Sequence, residues 1–594
     1  MRHYTSHKKA SQKKVARSSG SPIDRRFRIL CVGFCFLGVV VAARLFSLQV
    51  LSHTLYEDLA ANAHDVLEQL VPVRGDILIK DPDGTSYPVA TNKDTFQVFA
   101  EQRNVKEKER TADLLAPMLV IDRDELFKKL QGDGLYAPLA RGVSEDLVDQ
   151  MRDLFKTEKL AGIHMNREPA RTYPEMAMGG HVLGFVGADK DGALRGRYGI
   201  EGYWNKELSG AAGELSAEKD VGGRWIPVAD RTLNPAQDGA DVVLTIDRTI
   251  QFFACERLKA AVANHQADGG SVVILDPKTG AVLAMCGAPD FDPNTYQKTA
   301  DISVFNNPAI FGQYEPGSVM KVITMAAGID RGVVGPKTTY EDTGEFKVGP
   351  YTIRNSDGKA HGIQTMTQVL DESLNTGAIF VQRAVGSDAL RDYFEKFGFG
   401  ATTGIELAAE SPGDLSLLKK KSDIYFATAS YGQGMSATPL QLASAYGAIA
   451  NGGVLMQPQI VSDVRWSDTH HETHDPKQVR QVISARTATL LGGMLVSVVE
   501  NGHGKKAGVP GYWIAGKTGT AQVPRDDGPG YKADVTIGTF AGFGPVEDPK
   551  FVMVVRVDHP RDVQYAESSA APTFGEIAKF LLQYYHVQPT RAVK

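Results

Sequence analysis

Cysteine is scarce in this chain, four among 594 residues, and tryptophan equally so. Four cysteines cannot supply the dense bridging with which small secreted domains replace a core. Cys31 and Cys35 lie four apart in an apolar run, where packing on one helical face is the plain reading. Cys255 and Cys286 stand singly in apolar contexts, and no disulfide framework is expected. An excess of charge of one sign is also missing: 65 Lys and Arg face 70 Asp and Glu, with a sequence pI of about 6.3. That balance removes the global basic signature of a nucleic-acid binder, and no nucleic-acid partner is expected. Repeats of solenoid length are absent, as is low-complexity sequence beyond the first 28 residues. Long apolar runs are nearly absent; the one that occurs is "ILCVGFCFLGVVVAARLFSLQVL", Ile29 to Leu51.

What is present is the composition of a folded protein, 42% hydrophobic and 23% charged, with length for roughly two to four domains. Nine Lys or Arg precede the apolar run between Arg2 and Arg28, against the single acid Asp24. A helix over 29–51 rises about 34 Å at 1.5 Å per residue, enough to cross a bilayer. The basic stretch is long for a signal peptide and no clear A-x-A site follows, so the run reads as an uncleaved anchor. Arg44 interrupts it and must either snorkel to the head groups or meet a partner in the membrane. Positive residues before the span predict a cytoplasmic N-terminus and an extracytoplasmic remainder.

Four segments follow: a basic tail over 1–28, the anchor over 29–51, a mixed module over 52–238 and a C-terminal domain over 239–588. The module alternates short apolar runs with turn residues and contains "VRGDILIKDPDG", "REPARTYP", "GGHVLGFVG" and "GIEGYWNKELSG". It reads as an elongated mixed pedestal with helical runs near 111–130. Beyond "NPAQDGADVVLTID" a helix is expected from Thr249, then the hairpin "GSVVILDPKTGAVLAMCG", two apolar strands about an Asp-Pro-Lys-Thr-Gly turn. Two further strands, "DVTIGTFAGFGP" and "KFVMVVRVDHP", and a helix over 573–585 close the chain. Strands at both ends with helices between predict an α+β domain, an antiparallel sheet flanked by helices.

The chemistry concentrates in "YEPGSVMKVITMAAGID", Tyr314 to Asp330. Pro316-Gly317 cannot lie inside a helix, so one starts near Ser318 and puts Lys321 on the same face. A serine hydroxyl needs a base, and a lysine is one only when burial lowers its pKa, which the surrounding Val319, Met320, Val322 and Ile323 can do. The Ser-x-x-Lys spacing alone proves little, since it recurs at Ser6/Lys9, Ser11/Lys14, Ser216/Lys219, Ser356/Lys359 and Ser416/Lys419. None of these follows a Pro-Gly pair. A second element is Ser373-Leu374-Asn375, whose plain reading is a helix cap or a loop. The third is Lys517-Thr518-Gly519-Thr520, placed after Trp513-Ile514-Ala515 as at the start of a strand. Lys278-Thr279-Gly280 is the same triplet inside a hairpin turn.

In this order the three elements form the signature shared by penicillin-binding proteins and class A β-lactamases. With "YGQGMSATPLQLASAYGAIANGG" and "GTFAGFGPVEDPKFVMVV", the chain resembles the class B penicillin-binding proteins along nearly its whole length, and most closely the FtsI-type division transpeptidases and their sporulation relatives. The resemblance implies the serine transpeptidase fold behind a dimerisation-type pedestal. It implies that Ser318 attacks the D-Ala-D-Ala bond of a peptidoglycan stem peptide and Lys321 serves as base. Ser373 and Asn375 would relay the proton and hold the peptide. Lys517, Thr518 and Thr520 would bind the terminal carboxylate beside Gly519, with the N–H groups of Ser318 and Thr520 as oxyanion hole. No cofactor is implied. Implied partners are stem peptides, β-lactams, the bacterial cytoplasmic membrane, a glycan polymerase of the SEDS type and other division proteins.

The chain departs from the family pattern after Arg74-Gly75, where Asp-Arg is usual, and at Glu567-Ser568-Ser569, where glycines are frequent. Other readings are an elongation-type transpeptidase, a carboxypeptidase or β-lactamase using water, and a division scaffold or β-lactam sensor acylated without turnover. A sensor would carry several spans and an output domain, and the pedestal is large for a hydrolase. "HHETH", His470 to His474, lacks the His-Glu-x-x-His spacing and is expected to be a polar loop without a metal.

Overall fold

The computed structural model describes residues 22–51, 65–81, 84–190, 193–218, 231–420, 422–467, 469–525, 527–528 and 530–592. The basic tail up to residue 21, residues 52–64 of the expected pedestal, and the candidate pairs Ser6/Lys9 and Ser11/Lys14 lie outside them, as does Lys219. The described chain divides into two units. The first holds the helix Pro22–Phe46, continued by π-helical residues Ser47–Leu51, with Ile29–Val50 long and apolar enough to cross a membrane. It also holds a small antiparallel sheet of Asp65–Leu70, Gly213–Glu218 and Arg231–Asn234.

The second unit begins at Pro72. Its pedestal portion is built on the long strand Ser86–Ala100, which pairs with Ala137–Val143 and Ile163–Thr172. The helices Lys108–Leu119, Arg123–Leu130 and Glu145–Glu158 bury Leu115, Leu126, Val148 and Met151 against Phe96 and Val98 of that strand. The helical run expected near 111–130 is thus two helices, the second started by Asp122, whose side chain accepts from the N–H groups of Asp124 and Glu125. Glu201 is 0% exposed and is met by two guanidinium groups. Arg74 Nε and Arg171 Nε donate to its two oxygens at 2.8 and 2.7 Å, and Tyr173 Oη donates at 3.2 Å. Arg74 also donates to Asn205 and Ser209, so "VRGD", "REPARTYP" and "GIEGYW" close on one ion cluster.

The pedestal and the C-terminal domain share a sheet. Ile77–Lys80 pairs with Ser86–Ala100 on one side and, in parallel, with Asp241–Leu244 on the other. Asp241–Leu244 in turn pairs with Val461–Ser467. Ile77 and Ile79 therefore belong to the same buried core as Val242, Leu244 and Ile246.

The C-terminal domain centres on five antiparallel strands in the order Val282–Ala288, Gly269–Leu275, Phe551–Asp558, Tyr531–Gly544 and Ala515–Pro524. Helices cover both faces, so the strands read as nearly continuous apolar runs rather than alternating ones. Val272, Ile274, Met553 and Val555 pack under the helices Arg248–Asn264 and Ala570–Tyr584. Val273, Leu275, Val552 and Val554 pack toward the helices Lys321–Asp330 and Pro439–Ala450. Each fully buried Val or Leu contributes about 1.5–3 kcal/mol. The two end strands of the sheet differ. Val282–Ala288 is sealed by Gln251, whose amide exchanges hydrogen bonds with both backbone groups of Met285 (2.9 and 2.8 Å). The other, Ala515–Pro524, carries the Lys-Thr-Gly element.

Two expectations are corrected. Cys255 and Cys286 form a disulfide, with Cα atoms 5.4 Å apart. Arg248–Asn264 lies across the strand Val282–Ala288 and brings together two cysteines that nothing in the local sequence pairs. The histidine run is a strand, His470–Thr473, paired with Val461–Ser467, because the ladder supplies what its polar composition does not. Its histidines go separate ways: His470 stacks on Trp466, His471 Nδ1 lies 3.2 Å from Asp463, and His474 Nδ1 lies 3.6 Å from Glu406.

Candidate active site

Pro316 and Gly317 lead into a single 3₁₀ turn, Gly317–Met320, and the helix Lys321–Asp330 continues from it. Gly317 sits at φ +63°, and its N–H donates to the Gly432 carbonyl at 3.0 Å. Gly432 is required in return: a Cβ there would lie 2.2 Å from the Gly317 oxygen. Fully buried Tyr446 donates its hydroxyl to the Val319 carbonyl (2.9 Å), and Thr324 Oγ1 donates to the Ser430 carbonyl (2.8 Å). The turn carrying half-buried Ser318 is thereby fixed from beneath.

The helix behind it is buried on every side over Lys321–Ile329, and Lys321 itself is 1% exposed. Its Nζ donates to the carbonyl and, at 3.3 Å, to the Oγ of Ser373. Among the described residues no hydrogen bond joins it to Ser318 Oγ. Ser373 lies between the helices Met366–Asp371 and Asn375–Val385, at φ +55°. A left-handed serine costs of order 1–3 kcal/mol and persists only where surroundings enforce it. Here the second lysine is part of that enforcement. Lys517, 0% exposed on the end strand, donates to Ser373 Oγ at 3.0 Å, to the Thr518 carbonyl at 3.2 Å and to Thr518 Oγ1 at 3.3 Å.

One serine hydroxyl thus links two ammonium-forming groups from segments far apart in sequence. Burial drives Lys321 well below the ordinary lysine value, and the charge of Lys517 lowers it further. Burial brings Lys517 down to about 7, against the opposing pull of Asp371. The site can therefore hold a neutral amine beside a hydroxyl and a cation within reach of an anion.

The strand passes closely over the Ser318 turn. A Cβ on Gly519 would lie 2.8 Å from the Pro316 oxygen, and one on Gly317 would lie 3.3 Å from the Thr520 oxygen. Thr520 Oγ1 accepts the Ala566 N–H at 3.1 Å, which ties the segment before Glu567-Ser568-Ser569 to the site. Asn375 opens its helix and donates Nδ2 to the Arg354 carbonyl at 2.9 Å, leaving Oδ1 uncommitted by that bond. Leu374 offers no side-chain cap. Asn355 Oδ1 instead accepts the Thr376 N–H at 3.3 Å, and buried Asp342 accepts Thr376 Oγ1 at 2.6 Å.

All eight residues singled out in the sequence, Ser318, Lys321, Ser373, Asn375, Lys517, Thr518, Gly519 and Thr520, lie on the segments that converge here. The decoys do not: Ser416 and Lys419 are exposed on a short 3₁₀ helix, Ser356 and Lys359 are exposed, and Lys278-Thr279-Gly280 is the hairpin turn. Sequence reasoning missed Asp342, Asn355, Asp371 and Tyr446, which have no spacing signal because each acts across the fold.

Residues 270–579 match the family model of the penicillin binding protein transpeptidase domain, and residues 69–244 match that of the penicillin-binding protein dimerisation domain. The chain belongs to the penicillin-binding proteins. It is 33% identical to stage V sporulation protein D of Bacillus subtilis, over 97% of this chain and 88% of that one. It is 30% identical to the peptidoglycan D,D-transpeptidase FtsI of Escherichia coli K12, over 96% and 93%. Penicillin binding protein 3 of Mycobacterium tuberculosis, solved in complex with aztreonam, superposes with a TM-score of 0.66 at 29% identity, over 89% of this chain and 99% of that one. As a penicillin-binding protein the chain keeps all three motif elements while its segment after Arg74-Gly75 runs straight into the shared strand Ile77–Lys80.

Proposed function

We propose that this chain is a peptidoglycan D,D-transpeptidase that cross-links stem peptides through an acyl-serine intermediate. The observation that carries this reading is the meeting of Lys321 and Lys517 on Ser373 beside the Ser318 turn. Ser318 Oγ attacks the carbonyl of the D-Ala-D-Ala bond and gives its proton to the neutral amine of Lys321. The N–H groups of Ser318 and Thr520 receive the oxyanion. Lys321 and the Ser373 hydroxyl pass the proton to the departing D-Ala amine, and an ester remains on Ser318. An amine of a neighbouring stem then attacks the ester, returns a proton to Ser318 through the same groups, and leaves an amide cross-link. Lys517 and Thr518 hold the terminal carboxylate, and Asn375 holds the peptide.

β-Lactams acylate the same serine, a reading supported by the aztreonam complex of the mycobacterial relative. We place the protein in septal wall synthesis, on the strength of its likeness to FtsI and to the sporulation protein, with glycan polymerisation supplied by a membrane partner of the SEDS type. The anchor is a single span with the N-terminus in the cytoplasm. The basic residues before it support that orientation, and so does the Cys255–Cys286 disulfide, which belongs on the oxidising side of the membrane. We take the pedestal to end near residue 238, where Asp241–Leu244 enters the C-terminal domain's own chain.

The test is acylation of the full chain by a fluorescent penicillin. Peptide mapping places the label on Ser318, and Ser318→Ala abolishes it with an unchanged circular dichroism spectrum. A labelled peptide carrying Ser416 overturns the assignment. A fluorescent fusion concentrated along the side wall rather than the septum overturns the septal part alone.

A further inference from the structure

Two buried lysines share one serine hydroxyl, and the roles given to them above need opposite protonation states. Their surroundings are unequal. Lys517 Nζ has three acceptors, one for each N–H of an ammonium, whereas Lys321 Nζ has two, both on Ser373. A charge lies on the Lys517 side as well. Asp371 ends the helix Met366–Asp371, two residues before Ser373, and is buried. Its Oδ2 accepts from Ser497 Oγ at 3.0 Å, while its buried Oδ1 has no hydrogen-bond partner among the described residues. Around it are Ser497 from the helix Ala485–Glu500, the His503 N–H on its carbonyl (3.3 Å) and Glu372 beside it, and the charge of Lys517, which donates to Ser373 two residues further on, acts on it from the end strand. The His503 imidazole is turned to Glu567, at 3.3 Å. Lys517 is the one cation in this set.

We propose that Asp371 is a positioning residue for the reaction: its carboxylate holds the ammonium of the buried pair on Lys517, so that carboxylate recognition and base catalysis stay on separate lysines. The inference rests on the roles proposed for Lys321 and Lys517. Its pH signature has a definite sign. Burial, with Glu372 adding to it, raises Asp371 to about 6, so the carboxylate is ionised above that pH and neutral below it. Without it, Lys517 loses its proton at a lower pH, and the loss of function appears on the alkaline side.

The experiment measures the second-order acylation constant of the full chain in detergent, from pH 5 to 9, with a penicillin and with its carboxamide. For Asp371→Asn and the penicillin, the constant falls roughly tenfold at pH 8, the effect of one pKa unit, and stays within about twofold of wild type at pH 5.5. The carboxamide loses no more at pH 8 than at pH 5.5. Asp371→Glu restores most of the alkaline limb, and Ser497→Ala, which keeps the charge, leaves the limb in place. Asp371→Ser gives the same displacement if the asparagine variant does not fold. Profiles of the neutral variants that run parallel to wild type overturn the inference, as does an equal displacement in Ser497→Ala. Lys517→Ala separates this from the underlying reading: if it still prefers the penicillin over the carboxamide, the role of Lys517 itself fails.

Discussion

The pedestal and the active site both bury charge, and they treat it in opposite ways. Glu201 meets Arg74 and Arg171 with direct hydrogen bonds, so the ions remain ions and fix the backbone that carries them. Among the described residues Lys321 meets only the hydroxyl and carbonyl of Ser373, with the charge of Lys517 set against its own, so its burial is relieved by losing a proton. Buried charge with counter-ions makes architecture; buried charge of one sign makes a base.

The largest effect that separates the two regions is on rate. Lys321→Ala slows acylation by the penicillin by about 10²–10⁴, the usual worth of a positioned base, measured by stopped-flow quenching. Lys321→Met goes further toward breaking the comparison, because it should raise the melting temperature at pH 7 while removing activity. The unfolded chain carries a protonated lysine there and the native chain a neutral one. The wild-type deficit is therefore full below the folded value, shrinks as pH rises, and vanishes near the ordinary lysine value of about 10.4. A Met variant less stable than wild type at pH 7 would show that Lys321 is held as an ion.

Glu201→Gln should do the reverse. It leaves two cations facing a neutral amide in the pedestal, a cost of about 3–5 kcal/mol read by chemical denaturation, with acylation per folded molecule unchanged. If its acylation falls in proportion to Lys321→Ala, the pedestal cluster is not merely architectural.

A smaller effect distinguishes the lysines from one another. With wild-type protein the acylation constant for a penicillin rises as Lys321 is deprotonated and falls as pH climbs past the Lys517 value of about 7, since the carboxylate then loses its cation. The carboxamide retains the rising limb only. Lys517→Arg, which keeps its charge at all accessible pH, loses the falling limb.

The smallest effect concerns the anchor, where Arg44 is an exposed cation in the last turn of the helix Pro22–Phe46. Arg44→Leu should leave membrane insertion and Ser318 acylation unchanged and, on the proposal of a polymerase partner in the membrane, weaken co-purification with it. Undiminished co-purification would favour snorkelling to the head groups.

The three motif elements were legible because each is local: a turn before a helix, a helix start, a strand start. The antiparallel sheet was legible from apolar strands with turn residues between them. What stayed hidden depends on contacts between distant segments. The Cys255–Cys286 pair needs a helix laid across a strand, Asp371 needs the end strand carrying Lys517 beside it, and the ladder that makes His470–Thr473 a strand comes from its neighbour. The grouping of three pedestal motifs on Glu201 belongs to the same class, since no spacing relates Arg74, Arg171 and Glu201.

The parallel pairing of Ile77–Lys80 with Asp241–Leu244 sets a practical limit on how the molecule can be dissected. A fragment beginning at residue 239 would keep every motif and lose one of the two partners of its first strand. It would present Val242, Val243 and Leu244 along an open β-edge, the kind of surface on which chains stack on one another. Residues 77–80 are therefore part of the smallest soluble piece, and melting of the pedestal and the C-terminal domain should be recorded as one heat-absorption peak rather than two.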